Sequence, residues 1–559
     1  MLPSGLSSVP DPFLLWRTVR HLRPVQITNR LGRNLTPARS LLPDGTTYRF
    51  RGAGVAVPPL APPRDAREGS RFTLINLALE VGGGDRWFLR RAPHLWRYHL
   101  HYFDYLFSSP QHDDLELILN WIAENPPGSS PGWDPYPLSM RLRSWFEWLA
   151  MHYRELPQDA RRTVLSSLAS QAEALFRSIE YHLQGNHLLE NAISLVWAAL
   201  RLEGPRTEVW LRKGMRLLEA ELQRQVLADG VHEERSPGYQ VLLSHALVRL
   251  LGLANRIGAG SALGETVAGG ARRMVAGLQR LLHPDGRVAL LNDCGLDWGP
   301  PFADLASEMR LHHGGPPHDG TAEGSSGYFT WRHGADYFVF DAGPVGPDHQ
   351  PGHGHGDALS FELSLRGERV ITDTGTGTYE AGSSRLWDRG TAAHNTVQVS
   401  GGDQCELWSA FRCGRRPSVR GRWLPDSGRA GARGWGEARV RTRSSGSYRY
   451  RRTVSIRPGV LEFSDTVICR KESPVVLRVH LAPGIGIRLV NGGARAELLE
   501  NGRRVATIEP DSYAWKTNSS PYHPSFNLEE ERICLSLHLG SAEKASVRWR
   551  IRWDEGFPR

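Results

Sequence analysis

The hydrophobic period of this 559-residue chain changes once, from helical to strand spacing, and that limits the fold to a helical half followed by a sheet half. From Pro93 to Leu282 apolar residues recur at helical spacing, between short loops rich in Gly, Pro and Asp. PLSMRLRSWFEWLAMHYREL, RRTVLSSLASQAEALFRSIEYHL, TEVWLRKGMRLLEAELQRQVL, YQVLLSHALVRLLGLANRI and GETVAGGARRMVAGLQRLL are the clearest helices. The third sets Leu211, Met215, Leu218, Leu222 and Val226 on one stripe, and such successive helices predict a ring or solenoid. Beyond LHHGGPPHDGTAEGSSG the period is 2. Leu359, Phe361, Leu363 and Leu365 alternate with Ser360, Glu362 and Ser364. Val547, Trp549, Ile551 and Trp553 alternate with Arg548, Arg550 and Arg552, which predicts one buried and one solvated face. Many such strands imply a sandwich or layered antiparallel sheets, with a domain boundary near residue 320.

At 40% hydrophobic and 23% charged residues the composition is that of a globular protein. The longest apolar run, LLENAISLVWAAL, is interrupted by Glu190 and Asn191, so no transmembrane segment is expected. The N-terminus lacks the basic start and apolar core of a secretion signal, which places the expected location in the cytoplasm or at the cell envelope of a bacterium. Five cysteines match no zinc or redox spacing and read as free, mostly buried thiols. The net charge of +9 is carried mainly by arginine, whose planar forks suit carboxylates and sulfates, although a GC-rich genome gives the same bias. The basic residues are dispersed and no nucleic-acid-binding motif is present, so nucleic acid is not an expected partner.

Three stretches carry candidate chemistry. In QGNHLLENAISLVWAAL the polar residues His187, Glu190, Asn191 and Ser194 fall on one stripe of an apolar helix, with Asn186 at the same end. Such a stripe either satisfies itself internally or faces a cavity. In DGVHEERSPGYQVLLSHAL, Ser236 is an N-cap candidate and Pro237 the first helical residue, which puts Tyr239 in the first turn. Arg235 and Glu234 lie beside it, and a nearby cation would lower the phenol's pKa. In PGHGHGDALSFELSL alternate positions share a face, so His353, His355 and Asp357 can converge, with the glycines keeping the histidines accessible. His355, with Asp373 of VITDTGTGTY and His394 of RGTAAHNTVQVS, would form a nitrogen and oxygen site for zinc or a similar divalent ion.

GNHLLENA, DGVHEERSPGY, GHGHGDALSFEL with VITDTGTGTY, and RGTAAHNTVQVSGGDQCELWSAFR resemble, in the same order, the motifs of the heparinase II/III-like polysaccharide lyases, and WRYHLHYFDYL is similar to a further N-terminal motif. The resemblance implies a multidomain α+β protein. Residues 1–90 would be an N-terminal extension, 91–320 an (α/α) toroid, and 321–559 a C-terminal antiparallel β-sandwich. It implies β-elimination on a uronic-acid polysaccharide such as a glycosaminoglycan, alginate or an exopolysaccharide. Asn186 and His187 would neutralise the sugar carboxylate and Glu190 would orient the histidine; Tyr239 would be the acid, with either Tyr239 itself or His353 as base, His353 being a polariser in the first case. His355, Asp373 and His394 would hold a structural divalent metal, zinc by donor type. Arg141 and Arg235 are further substrate-binding candidates. The alternatives are a noncatalytic glycan-binding or exopolysaccharide-assembly protein, an (α/α)-toroid glycoside hydrolase using two carboxylates, and a metal hydrolase.

Overall fold

The computed structural model describes residues 11–33, 42, 46–82, 86–313, 324–426 and 430–554. The expected domain boundary near residue 320 lies outside the described residues. Two short helices open the chain, α1 (Pro12–Val19) and α2 (Pro24–Arg33), followed by a small antiparallel sheet of Ala66–Glu68, Arg71–Leu74 and Leu77–Glu80. The helical half then runs through α3 (His94–Leu100), α4 (Asp114–Glu124), α5 (Pro135–His152), α6 (Gln158–Ser178), α7 (Gly185–Arg201), α8 (Thr207–Gln225), α9 (Pro237–Arg256), α10 (Ser261–Arg280) and α11 (Phe302–His313). The five helices anticipated from periodicity are α5, α6, α8, α9 and α10.

Helix α7 is buried along nearly its whole length, as its apolar circumference requires. It packs on α5, α8 and α9, and one core runs through Trp121, Trp145, Trp197 and Trp210. Its polar stripe is satisfied by neighbours. Asn191 donates to Ser139 and Glu180, and Ser194 donates to the Ser139 carbonyl. At its far end Arg201 grips Glu147 of α5 through two nitrogens, and Glu147 also accepts from Trp197 and the Val57 backbone. Both charges are fully buried, so neither can turn to water if the other is lost.

The sheet half has two antiparallel layers. One is formed in sequence order by Tyr328–His333, Asp336–Asp341, Phe361–Leu365 and Glu368–Ile371. The other centres on the paired long strands Val460–His480 and Glu530–Arg552. Phe361 of the first layer lies 4.8 Å from Phe463 of the second, which itself stacks on Trp549 at 4.1 Å. In the terminal strand Val547, Trp549 and Ile551 are buried and the intervening arginines exposed, as alternation predicts. The strand Phe361–Leu365 is different, because both of its faces are buried. Its polar side meets the helical half, where Glu362 bonds His283 at 2.6 Å and the Leu290 backbone, and Ser364 bonds the other ring nitrogen of His283. The period of 2 holds, with the helical half covering the polar face. All five cysteines are free and buried, and among the described residues no helix is long and apolar enough to cross a membrane.

Removing one partner of a buried ion pair typically costs about 3–5 kcal/mol. Glu147→Ala should therefore lower the unfolding free energy by about that amount in urea denaturation, and a loss below about 1 kcal/mol would show that Arg201 finds other solvation.

Candidate active site

A cleft of about 1540 Å³ separates the helical wall from the sheet half. Tyr136, Arg143, His187, Glu190 and Tyr239 line it from one side, and His353, Tyr379 and Phe411 from the other.

Two local features aim the helical residues. Gln184 and Gly185 both take positive φ, which turns the chain sharply into α7. A Cβ on Gly185 would collide with the Glu234 carboxylate, so only glycine lets that carboxylate reach the start of the helix. There Glu234 accepts from the Asn186 backbone at 2.7 Å and from its side-chain amide at 2.8 and 3.1 Å. Ser236 caps α9 by accepting from the Tyr239 backbone at 3.1 Å, and Pro237 opens the helix, as the sequence predicts.

The opening glycines of the histidine motif have a different use from the expected one. Gly354 passes so close to Val345 that any side chain would strike its backbone, while His353 and His355 are both buried, at 6% and 0% exposure. What orients the two rings is Asp293, in the loop after α10. One oxygen bonds His353 Nδ1 at 2.8 Å and the other bonds His355 Nε2 at 2.9 Å. Both oxygens also receive the guanidinium of Arg385, on helix α12 (Ser383–Arg389). Burial opposes ionisation of Asp293, but Arg385 and the two histidine bonds outweigh it and hold the carboxyl well below its usual range. An ionised carboxylate only accepts, so each histidine must present N–H to it. In the neutral rings His353 then keeps a free lone pair on Nε2, and His355 keeps one on Nδ1.

His353 Nε2 faces the Asn186 amide at 3.5 Å and Glu234 at 3.7 Å. Its ring lies 4.3 Å from that of Tyr239, whose hydroxyl meets the Tyr379 hydroxyl at 3.1 Å. Burial raises the Tyr239 phenol far above its ordinary pKa, contrary to the lowering expected from Arg235. At neutral pH Tyr239 is therefore a proton carrier. His187 is bonded to Glu180 at 3.0 Å; burial alone would lower its pKa, but Glu180, assisted by Glu234 and Glu190, raises it and favours imidazolium. Glu190 pairs with Arg143 at 2.7 Å rather than with His187.

Two predicted substrate contacts are structural. Arg141 is fully buried, lies 3.9 Å over the Trp121 ring and bonds Gln171 and the His101 carbonyl. Arg143, two positions on, faces the cleft instead. Arg235 turns inward at positive φ and donates to the Ser326 and Glu233 carbonyls. Asn186 is fully buried behind the cleft wall, with its Oδ1 lacking a partner.

The proposed metal set also differs at one member. His355, Asp357 and His394 bring candidate ligand atoms within 4.8 Å of one another, and each has a buried atom without a hydrogen-bond partner: His355 Nδ1, Asp357 Oδ2 and His394 Nε2. Asp373 stands behind them. Its oxygens are taken by His394 Nδ1 at 2.6 Å, the Thr374 backbone and Ser360. A carboxylate holding the far nitrogen of a histidine is the usual support of a metal ligand. Burial, joined by the nearby Asp373 charge and only partly opposed by His394, pushes the Asp357 carboxyl up to about 6, and the donor set fits a divalent cation.

Sequence reading missed Asp293, Arg385 and Tyr379. The only signal for the first was an acidic residue inside the apolar stretch VALLNDCG.

Comparison with known proteins agrees with this fold. Residues 112–298 match the Heparinase II/III N-terminus family and residues 315–550 match Heparinase II/III-like, C-terminal. The chain belongs to the heparinase II/III-like family. A heparin-sulfate lyase of Pedobacter heparinus is 26% identical over 315 residues, covering 50% of this chain and 46% of that protein. A heparin-sulfate lyase of Bacteroides thetaiotaomicron is 24% identical over 332 residues, 51% and 47% of the two chains. The chain thus spans less than half the length of these curated lyases. FtsZ-localized protein C of Caulobacter vibrioides is 25% identical over 433 residues, 70% of this chain and 72% of that one. Among solved structures, heparinase III superposes with a TM-score of 0.68 at 16% identity, covering 98% and 94% of the two chains. The heparan sulfate lyase HepC of Pedobacter heparinus gives 0.56 at 16% identity, covering 96% and 88%.

A carboxyl whose folded pKa is depressed stabilises the protein above its unfolded pKa, about 4, and loses that contribution as pH falls toward the folded value. Urea denaturation of the wild type should therefore show stability falling below about pH 4, and Asp293→Asn should be less stable at pH 7 with a shallower acid limb. Parallel limbs in the two proteins would show that Asp293 is not held ionised.

Proposed function

We propose that this protein is a polysaccharide lyase that cleaves a uronic-acid polymer, of the heparan-type glycosaminoglycan class, by β-elimination. The observation that carries the reading is the juxtaposition of a protonated phenol, Tyr239, and an imidazole with a free Nε2, His353, their rings 4.3 Å apart on the cleft surface. Relatives named as heparin-sulfate lyases support the substrate class. The helical half is taken as an (α/α) toroid and the two sheet layers as its β-sandwich partner, in keeping with the superposition on heparinase III.

In this mechanism the His187 imidazolium meets the uronate carboxylate, and stabilising the charge that develops there makes the C5 proton removable. Asn186, buried behind the wall, acts from there by holding Glu234 through its amide rather than by meeting the sugar. His353 Nε2 takes the C5 proton. The released electron pair forms the C4–C5 double bond as the bond from C4 to the glycosidic oxygen breaks, and that oxygen takes the phenolic proton of Tyr239. The Tyr379 hydroxyl, 3.1 Å away, donates to the resulting phenolate. The cycle closes when the proton on His353 returns to Tyr239. Asp293 and Arg385 stay fixed throughout, stabilising the imidazolium that forms.

His355, Asp357 and His394 would hold a divalent cation, zinc by their nitrogen-rich donor set, with Asp373 and Asp293 orienting the two histidines. Such an ion would supply cross-linking between the histidine motif and the turn at His394 that leads into the strand Val397–Val399. The Caulobacter relative matched over most of the chain is named for its localisation, and a noncatalytic role of that kind would not need the Tyr239, His353 and Asp293 arrangement.

Incubation with a panel of heparan-type, alginate and exopolysaccharide polymers should raise ultraviolet absorbance, because only elimination makes a double bond conjugated to the carboxylate. Tyr239→Phe should remove at least about 100-fold of the rate, the usual contribution of a general acid, with an unchanged circular dichroism spectrum. New reducing ends without absorbance would instead identify a hydrolase. His355→Ala should lower bound metal, read by elemental analysis, together with the thermal midpoint; retention of both would remove the metal site.

A further inference from the structure

The cleft wall carries positive charge that the chemistry above does not use. Several arginines around it are occupied by the protein itself. Arg143 is paired with Glu190, Arg64 with Asp297 at 3.1 Å, and Arg249 donates to the Val57 carbonyl. Arg287, Arg30 of α2 and Arg412 lack such a pairing among the described residues, and of these Arg30 and Arg412 act on each other. Both are exposed, both line the cleft, and among the described residues neither has an ion-pair partner. Asp348, which also lines the cleft, is engaged elsewhere, with Arg416 at 3.4 Å.

Each arginine is placed by a fixed element. Helix α2 is anchored at both sides of the cleft, since Gln26 donates to the His182 carbonyl of the helical half and to the His349 carbonyl of the sheet half, and Arg23 bonds Gln184. Arg412 lies on the two-stranded hairpin of Leu407–Trp408 and Arg412–Cys413, pegged by buried Cys413. Its neighbour Phe411 presents an edge to His353 at 5.9 Å and to Tyr379 at 4.9 Å. The two guanidiniums are near enough that, after burial, the charge of Arg30 is what lowers the pKa of Arg412. Two like charges at the cleft edge repel each other, and an anion between them turns that repulsion into attraction.

We propose that Arg30 and Arg412 form an anion-binding subsite beside the reacting sugar, taking a sulfate or carboxylate group on a flanking unit of the polymer. The inference rests on the polysaccharide reading of the cleft and deepens it, because it makes the charge of the neighbouring sugar a determinant of binding. It also gives the N-terminal segment a task, since α2 supplies one half of the fork.

The test is calorimetric binding of two oligosaccharides of equal length to the full chain, one a sulfated heparan oligosaccharide and the other its unsulfated glucuronate and N-acetylglucosamine backbone. The Arg30→Ala/Arg412→Ala protein should bind the sulfated oligosaccharide about tenfold more weakly, the loss expected for a charge-assisted contact, and with a smaller salt dependence. Loss confined to the sulfated ligand identifies sulfate as the bound group, and equal loss on both identifies the carboxylate. Arg162→Ala, at an exposed arginine on α6, controls for net charge and should leave both affinities within twofold. Unchanged binding of both ligands by a double variant with a wild-type thermal midpoint overturns the subsite, as does a wild-type protein that binds neither. Binding that depends on the arginines without any ultraviolet absorbance from the wild type would keep the subsite and reject the lyase reaction.

Discussion

One buried carboxylate determines what the two histidines of the PGHGHGD motif can do. Asp293 is held ionised by the guanidinium of Arg385, and it touches opposite nitrogens of the two rings, Nδ1 of His353 and Nε2 of His355. Identical side chains two residues apart are thereby given opposite tautomers. One is left with a lone pair facing Asn186 and Glu234 beside Tyr239, and the other with a lone pair directed to the Asp357 and His394 cluster. Without the carboxylate the rings could exchange roles, and without the guanidinium a buried carboxylate would tend to take up a proton and become a donor.

The rest of the architecture serves to bring this centre to the helical wall. Asp293 comes from the loop after α10, Arg385 from α12, and the histidines from the loop before Phe361–Leu365, so the site exists only when both halves are docked. Docking is secured by polar groups as much as by apolar ones. His283 closes against Glu362 and Ser364, and Tyr328 and Tyr337 join a small apolar cluster with Val231, Leu281 and Leu291. Such buried polar contacts stabilise one register of the interface and penalise others, because a slip would leave charges unpaired.

Much of the fold and part of the site were legible in the sequence, and the boundary between the two is physical. Periodicity depends on local geometry, so the five helices, the cap at Ser236 and the solvated face of the terminal strand could be read directly. Which way a helix faces is a tertiary property. Arg141 and Arg143 are about 200° apart on α5, and nothing local says that the first packs on Trp121 while the second meets Glu190. The inward turn of Arg235 depends on its positive φ, and the choice of Asp357 over Asp373 on which nitrogen of His394 is free. Asp293 and Arg385 are 92 positions apart, and neither sits in a pattern that anticipates the other.

The most direct measurement is nitrogen-15 NMR of histidine-labelled protein at neutral pH, assigned by His353→Gln and His355→Gln. The account predicts His353 protonated on Nδ1 and bare on Nε2, and the reverse for metal-free His355. Matching tautomers in the two rings, or a proton on Nε2 of His353, would contradict it.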